Sequence, residues 1–333
     1  MRKAVLIILS LFIMIPLTAW CQNDSGKLPK EAAGEIAPPS GKIAFIREGN
    51  LWVMDWDGKN QFKVVSAENA LGKLSWSADN KTIAFCREGL VDIKGPDFLG
   101  GRHKVYDIFL GYPDSAKSTT NWWFRLTDDF GSRFPEFTSD GTRIVFTKDL
   151  NANTVNATMP NYQTCFMDPE GGSLEIIRKD YTTNTDFMAS MPTLGPDGKY
   201  AFVLFRGVNT MGVVIAPLSL EVFTDQTLKE QAKVIPEATT PAWSPDGKWI
   251  AFIDKTMKNQ GIFIVDPALK NKYEVFKPQI GQSLQTFPIS WSPDSKWLVF
   301  ALNDGSFWII DITGNGLRQI SGPGMNEAPA WSK

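Results

Sequence analysis

Short apolar runs alternate with turn residues along most of the chain. The run NLWVMD at 50–55 combines β-branched and aromatic residues and ends at polar residues, which is typical of a β-strand. Similar runs are YDIFLG at 106–111, TCFMD at 164–168, GVVIA at 212–216, GIFIVD at 261–266 and FWIID at 307–311. No stretch has the sustained periodicity of a long amphipathic helix. The pattern therefore predicts an all-β protein.

A longer motif recurs along the chain. The stretch TPAWSPDGKWIAF at 240–252 aligns with other segments that contain the same aspartate turn. They are KLSWSADNKTIAF at 73–85, FPEFTSDGTRIVF at 134–146, MPTLGPDGKYAFV at 191–203 and PISWSPDSKWLVF at 288–300. The turn aspartates are Asp79, Asp140, Asp197, Asp246 and Asp294, at successive separations of 61, 57, 49 and 48 residues. A repeat of this length with four short strands predicts β-propeller blades.

The two ends of the chain complete one another. The stretch APAWSK at 328–333 is the beginning of the motif, and SGKIAF at 40–45 is its remainder. Joined, they make a complete unit, so the second strands number six and start at Ile43, Ile83, Ile144, Ala201, Ile250 and Leu298. The prediction is a six-bladed β-propeller, closed by pairing of the N- and C-terminal segments in one blade. Such closure removes exposed sheet edges.

The motif PAWSPDGKWIAF and its partners resemble the propeller repeat of the TolB family and of prolyl oligopeptidase-type peptidases. The resemblance covers the chain from about Ser40 to Lys333. It implies a propeller and, through TolB, an exported protein with six blades. TolB carries an additional α/β domain before its propeller, whereas residues 22–39 here are a short segment rich in Pro, Lys, Ala and Glu. The resemblance therefore includes the propeller and neither that domain nor a hydrolase domain.

Residues 1–21 have the composition of an export signal. Arg2 and Lys3 precede an apolar run that is too short to favour a membrane span. The predicted organisation is a signal peptide at 1–21, a flexible segment at 22–39 and a propeller at 40–333, in a periplasmic or secreted protein without a transmembrane span. The alternative is a lipid anchor at Cys21, although Trp20 is larger than the residue that normally precedes a lipidated cysteine.

Composition limits the chemistry. With 34 basic and 36 acidic residues the net charge is −2, which does not favour bulk binding of nucleic acid. Cys86 and Cys165 lie in apolar runs, so buried free thiols are expected rather than a disulfide bond. His103 is the one histidine, which excludes multi-histidine metal sites, and no GxSxG motif occurs. We expect no catalytic residues, no metal, no cofactor and a monomer.

Two prominent residue sets have a structural interpretation. Each turn aspartate is expected to accept hydrogen bonds from the backbone of its own tight turn, because a single catalytic site cannot recur in every blade. The motif tryptophans are Trp76, Trp243, Trp291 and Trp331. One per blade at the same position predicts packing between blades rather than a sugar-stacking surface.

Insertions point to a binding face. The connection between second and third strands is long in blade two, at 87–104, and in blade three, at 147–162. Both are predicted to emerge as loops on one face, with DDFGSR at 128–133 between them. Charged residues follow several second strands and are expected to converge on the channel mouth; they are Arg47, Arg87, Lys148 and Arg206, then Glu48, Glu88 and Asp149. The candidate binding residues are Arg87, Arg102, His103, Asp128, Asp129, Arg133, Lys148 and Arg206.

Two functions from different classes are compatible with these features. The first is a non-catalytic protein-binding or scaffold module of the cell envelope, with an envelope protein or peptide as its partner. The second is a carbohydrate-active or other hydrolytic enzyme that uses acidic residues on the loop face. A shallow, partly apolar face would favour the first, and facing carboxylates with a raised pKa at the channel mouth would favour the second.

Overall fold

The computed structural model describes residues 26–93, 101–114, 123–152, 159–184, 186–195, 197–207, 209–256, 260–285 and 289–333. Within these residues the chain forms six four-stranded sheets. All strand pairs within the sheets are antiparallel. The predicted all-β, six-bladed propeller is confirmed.

The strands of each blade are numbered from the centre of the ring outward. Blade one consists of β24 (Asn326–Trp331), β1 (Lys42–Arg47), β2 (Asn50–Asp55) and β3 (Phe62–Val65). Blade two consists of β4 (Ala70–Trp76), β5 (Ile83–Ile93), β6 (Gly101–Gly111) and β7 (Trp123–Arg125). Blade three consists of β8 (Ser132–Phe137), β9 (Ile144–Asp149), β10 (Tyr162–Met167) and β11 (Glu175–Ile176).

The remaining blades follow the same order. Blade four consists of β12 (Phe187–Leu194), β13 (Lys199–Arg206), β14 (Asn209–Pro217) and β15 (Lys233–Ile235). Blade five consists of β16 (Ala238–Trp243), β17 (Ile250–Asp254), β18 (Gly261–Val265) and β19 (Lys272–Phe276). Blade six consists of β20 (Ser290–Trp291), β21 (Trp297–Ala301), β22 (Phe307–Asp311) and β23 (Arg318–Gln319).

The ring closes through blade one. The last strand of the chain, β24, pairs with β1, and Ile43 lies opposite Trp331 while Ala44 lies opposite Ala330. First strands of neighbouring blades contact one another around the whole ring, which places them nearest the axis. This pairing of the two terminal segments confirms the predicted closure.

Alternating strand direction produces two faces. The turn face carries the hairpins between first and second strands, which contain the aspartate turns, and the connections between third and fourth strands. The loop face carries the connections between second and third strands and those between blades, such as residues 66–69, 126–131 and 320–325. Any partner that approaches along the axis meets one of these two faces.

Apolar side chains fill the spaces between blades. The motif tryptophans are between 2% and 6% exposed, and each belongs to a different apolar cluster. Two of them also donate to the first strand of the preceding blade: Trp76 Nε1 to the Ala330 carbonyl at 3.1 Å and Trp291 Nε1 to the Ala242 carbonyl at 2.9 Å. The predicted packing role of the tryptophans is confirmed.

The aspartate turns are also as predicted. In the turn of blade five the Ser244 hydroxyl donates to Asp246 Oδ1 at 2.8 Å, and the backbone N–H of Lys248 donates to the same oxygen at 3.1 Å. Gly247 follows with a φ of 73°, which a side chain would disfavour. The carboxylate thus completes the turn from within.

Two short helices lie outside the blades. Helix α1 (Lys30–Ala33) belongs to the segment before the first strand, and α2 (Asp225–Gln231) lies between the third and fourth strands of blade four. In the described part of the chain, neither helix has the length and apolar character that crossing a membrane requires. Residues 26–39, here named the strap, contact blades five and six, and these contacts were not predicted from the sequence.

The insertion in blade two differs from the prediction. A loop over 87–104 is predicted from the sequence, and this is wrong at both ends, because β5 and β6 extend past the blade as a two-stranded ribbon. Leu90 pairs with Lys104 and Val91 with His103. Continued pairing satisfies the backbone donors and acceptors of the ribbon, which a loop would leave to solvent. In blade three, β9 extends to Asp149 and β10 starts at Tyr162.

Candidate functional site

Three of the predicted site residues lie together on the loop face between blades two and three. Lys148 Nζ donates to Asp129 Oδ2. The other oxygen of Asp129 accepts from the backbone N–H of Gly131 at 3.1 Å and from the Ser132 hydroxyl at 2.8 Å. Arg133 follows directly on β8. The structure therefore joins Asp129, Arg133 and Lys148 into one charged group at a blade boundary.

Arg133 is held between two tyrosine rings. Its guanidinium carbon lies 4.3 Å from the Tyr106 ring centroid and 4.9 Å from that of Tyr162, within the range of a cation–π contact. Its Nε is buried and has no hydrogen-bond partner among the described residues. Stacking from both sides fixes the guanidinium in one orientation.

Asp107 is the residue that organises this region, and it was not identified from the sequence. It is 4% exposed, and Arg125 Nη2 donates to its Oδ2 at 2.7 Å. Its Oδ1 accepts from the Thr127 hydroxyl and from the backbone N–H of Asp129, both at 3.0 Å. Arg125 also contacts Asp128, which is 75% exposed, at 2.5 Å. A buried carboxylate thus fixes the connection that carries the two candidate aspartates.

The other candidate residues lie apart from that group. Arg87 Nε donates to the Ala67 carbonyl at 2.7 Å, and its guanidinium carbon lies 5.2 Å from the Trp123 ring centroid. Arg206 forms an ion pair with Asp225 at 3.2 Å on blade four. The positions of Arg102 and His103 are on β6, in the ribbon, and their side chains lie outside the described residues.

A pocket on the loop face lies beside the first strands of blades one and two. Its volume is about 660 Å³, and its acidic lining residues are Glu48, Glu68, Glu88 and Glu327. Asn69, Gln285, Asn303, Met325 and Asn326 complete most of the wall. The glutamates that follow the second strands of blades one and two therefore face this pocket. The arginines before them do not line it, in contrast with the expectation that both would converge there.

The arginines are diverted by local contacts. Arg47 Nε donates to Asn326 Oδ1 at 2.7 Å, and its guanidinium carbon lies 4.9 Å from the Phe45 ring centroid. Adjacent residues on a strand point to opposite sides, so an arginine that turns outward leaves the following glutamate on the pocket side. The signal in the sequence was the repeated Arg-Glu pair, and the alternation of the strand decides which member faces the pocket.

The pocket has a negative field. Glu88 Oε2 accepts from Lys104 Nζ at 3.1 Å and from the Tyr106 hydroxyl at 3.4 Å. In the part of the chain that the structure describes, no cation pairs with Glu327, and burial raises the pKa of its carboxyl. The buried Oε1 of Gln285 likewise lacks a hydrogen-bond partner among the described residues. Carboxylates that are partly shielded from water attract cationic groups more strongly than exposed ones.

Exposed apolar side chains share this face. Met325, on the pocket rim, is 74% exposed, Leu90 on the ribbon is 58% exposed and Met159 in the blade-three insertion is 43% exposed. Methionine and leucine that remain exposed around a depression are typical of protein contact surfaces. Within the described residues, no three His, Cys, Asp or Glu side chains are close enough to hold a metal ion.

Comparisons with known proteins concern the fold. No protein-family model and no curated protein sequence matches the chain. Among solved structures, TolB from Acinetobacter baumannii is similar with a TM-score of 0.63 and 20% identity, over 88% of this chain and 66% of that one. A protein from Agrobacterium tumefaciens assigned as a TolB has a TM-score of 0.58 and 12% identity, over 89% of this chain and 100% of that one.

An enzyme is also similar in fold. The tricorn protease matches with a TM-score of 0.57 and 14% identity, over 86% of this chain and 26% of the protease. This chain thus spans 66% of the first TolB and about a quarter of the protease. Identities this low carry the fold and no more. The fold of this protein is that of the TolB-like six-bladed β-propellers.

Proposed function

We propose that this protein is an exported cell-envelope propeller that acts as a non-catalytic protein-binding or scaffold module. The partner, a protein or peptide with a basic segment, contacts the loop face around blades one to three. The observation that carries the proposal is the glutamate-lined pocket with exposed Met325 on its rim. A basic side chain fits the negative pocket, and apolar side chains of the partner cover the methionine and the ribbon.

The rigid group between blades two and three supports the same assignment. Arg133 stacked between two tyrosines, together with the Asp129–Lys148 pair, presents aromatic and charged atoms in one orientation. Aromatic and arginine side chains that are held in place before binding lose little entropy when a partner docks. We assign Arg87, Arg102, His103, Asp128 and Arg206 to the periphery of this surface.

Affinity capture from envelope extracts tests the proposal. The wild-type protein is compared with Glu48→Gln/Glu327→Gln, and the control is Glu221→Gln/Glu230→Gln, which removes the same charge from exposed positions near α2. We expect the control to retain the captured partner and the pocket variant to lose it. Equal capture by all three proteins, or no partner with the wild type, would contradict the proposal.

A second candidate function is hydrolysis of a carbohydrate. It is favoured by one observation, the partly buried Glu327 with a raised pKa among other carboxylates in one pocket. A glycosidase needs such a protonated acid opposite an ionised carboxylate. Release of reducing ends from envelope polysaccharides, abolished by Glu327→Gln, would establish the enzyme. Absence of release by the wild type at pH 4 to 8 would leave the binding function.

Export and anchoring belong to the same proposal. We assign residues 1–21 as a signal peptide and residues 40–333 as the propeller, in a periplasmic or secreted protein. Mass spectrometry of the N-terminal peptide separates the two possibilities at Cys21. A terminus at Gln22 means cleavage, and an acylated Cys21 means a lipid anchor. An intact Met1 in the envelope fraction would contradict both.

A further inference from the structure

The strap shows how a peptide binds between two blades of this protein. Leu28 is 2% exposed and belongs to the apolar cluster between blades five and six, which also contains Ile264 and Ile312. Tyr273 packs against the same cluster from the outer strand of blade five. A leucine of an added segment therefore completes the core between these blades.

Polar contacts hold the strap in place. Lys27 Nζ donates to the Val275 carbonyl at 2.6 Å and lies 3.9 Å from Glu274. Trp297 Nε1 donates to the Ala37 carbonyl at 2.9 Å, and Lys296 Nζ donates to the Ala33 carbonyl. The mode of binding is thus an apolar anchor next to a lysine, with strap carbonyls accepting from blade six.

The register of the sheets identifies the corresponding place between blades two and three. Phe109 lies opposite Phe85 as Phe263 lies opposite Phe252, so the next residue in blade two, Leu110, corresponds to Ile264. Phe124 pairs with Leu110, and Tyr273 pairs with Ile264. Phe124 therefore occupies in blade two the position that Tyr273 occupies in blade five.

The adjoining blades correspond in the same way. Ile310 pairs with Leu298 in blade six, and Met167 pairs with Ile144 in blade three. Two residues further along each chain segment are Ile312 and Pro169. Pro169 is thus the counterpart of a residue in the strap-filled cluster.

A groove is open at this corresponding place. Its volume is about 650 Å³, and its apolar walls include Leu110, Phe124 and Pro169. Phe124 is 52% exposed, whereas its counterpart Tyr273 is half-buried. No described residue fills the groove as Leu28 fills the space between blades five and six.

Other boundaries of the ring are covered by segments of this chain. Between blades three and four, Leu220, Phe223 and Leu228 from the region of α2 join the apolar cluster and are at most 6% exposed. The boundary between blades two and three has the same kind of apolar wall without such a cover among the described residues. Exposed aromatic surface in a groove of this size is typical of a binding site.

Charge indicates the kind of segment that fits. The described lining of the groove has three carboxylates, those of Asp79, Asp140 and Glu170, and no basic side chain. A lysine or arginine of the bound segment would be attracted there, as Lys27 is near Glu274. An acidic segment would be repelled.

We propose that the groove between blades two and three on the turn face binds an extended segment of a partner protein, with a bulky apolar residue beside a lysine or arginine. The apolar residue packs on Phe124 and Pro169, and the basic residue lies near Glu170. This site is on the face opposite to the glutamate pocket, so it goes beyond the proposed function and gives the protein a second contact surface.

The test uses a fluorescent peptide with the sequence of residues 26–36, GKLPKEAAGEI, and the purified protein. Fluorescence anisotropy compares the wild type with Phe124→Asp and Glu170→Lys. The control is Leu317→Asp, which changes an apolar side chain that is 45% exposed at the outer edge of blade six. We expect Phe124→Asp to weaken binding by about tenfold or more, Glu170→Lys to weaken it severalfold and the control to bind like the wild type. A peptide with Leu28 replaced by Ser should not bind.

Several results would overturn the proposal. No binding to the wild type would do so, as would equal binding by all variants, which would place the peptide in the groove of its own strap. Sedimentation at the same protein concentrations identifies another occupant. A dimer that Phe124→Asp dissociates would show that a second copy of this chain, and not a partner protein, fills the groove.

Discussion

Lys73 and Glu136 form an ion pair that joins the first strands of blades two and three inside the ring. Their side chains are 13% and 15% exposed. Lys73 Nζ also donates to the Pro192 carbonyl at 2.9 Å, and Glu136 Oε1 accepts from the Thr193 hydroxyl at 3.1 Å and from the Leu194 N–H at 3.0 Å. The pair therefore connects three blades.

Breaking this pair should destabilise the ring. Glu136→Gln leaves a largely buried ammonium without its counter-charge, and we expect a loss of about 3–5 kcal/mol in the free energy of unfolding. Urea unfolding followed by tryptophan fluorescence measures it. Glu175→Gln, which breaks the exposed pair with Arg143, is the control and should cost less than about 1 kcal/mol. Equal losses for the two variants would contradict the connecting role of Glu136.

Acidification should act on the same carboxylate. Burial by itself would raise the pKa of Glu136, but the nearby Lys73 and Lys333 charges and the hydrogen bonds hold it below 4.5. A lowered pKa in the folded state means that the stabilisation is complete above the unfolded value, about 4.5, and is lost as the pH falls through the folded value. The stability difference between wild type and Glu136→Gln should therefore narrow below pH 4.5 in urea titrations. A constant difference down to pH 2 would contradict this linkage.

Removing the strap anchor should weaken the fold. Leu28→Ala leaves a cavity between blades five and six, so we expect a loss of about 2–5 kcal/mol in the free energy of unfolding. Leu317→Ala, at an exposed position, should change it by no more than about 0.5 kcal/mol. Thermal unfolding measured by calorimetry distinguishes the two. An unchanged midpoint for Leu28→Ala would mean that the strap is not bound in solution.

Replacing Asp107 should loosen the connection between blades two and three. Asp107→Asn weakens the bonds to Arg125 and to the backbone N–H groups of Asp129 and Phe130, at a cost of about 1–3 kcal/mol. Hydrogen exchange of residues 126–131 should accelerate, while exchange in blade five stays the same. Asp128→Asn, at an exposed position, should leave both unchanged. Unaltered protection in Asp107→Asn would remove its organising role.

The two cysteines should be inert in the folded protein. Cys86 and Cys165 are buried and free, and burial raises the pKa of each thiol to about 12. At pH 8 neither forms the thiolate that reacts with a disulfide reagent. We expect no reaction with Ellman's reagent until guanidinium unfolds the protein, and then modification of both. Rapid reaction in native buffer would contradict their burial.

The repeat made most of the fold predictable. The aspartate turn and the tryptophan before it occur at one place in each blade, so their roles follow from comparison within a single sequence. Local physics decides them, because the turn bonds lie within a few residues, as between Ser244 and Asp246. The incomplete motifs at 40–45 and 328–333 predicted the closure for the same reason.

The candidate site was only partly predictable. Sequence placed the insertions and the charged residues at strand ends, but not the ribbon made by Leu90 and Val91, because strand extension depends on a partner strand. It also did not separate Arg87, which turns to the Ala67 carbonyl, from Glu88, which faces the pocket. That choice depends on contacts between blades rather than on neighbours in sequence.

The sequence by itself determined the number of blades, their turns and their packing tryptophans, since these repeat and each copy is stabilised mainly by its own neighbours. Only the tertiary structure decided where the surfaces for partners lie. The strap between blades five and six and the open groove beside Phe124 arise where the same apolar wall is covered in one boundary and exposed in another. Coverage depends on segments far apart in the chain, and no local pattern encodes which boundary they reach.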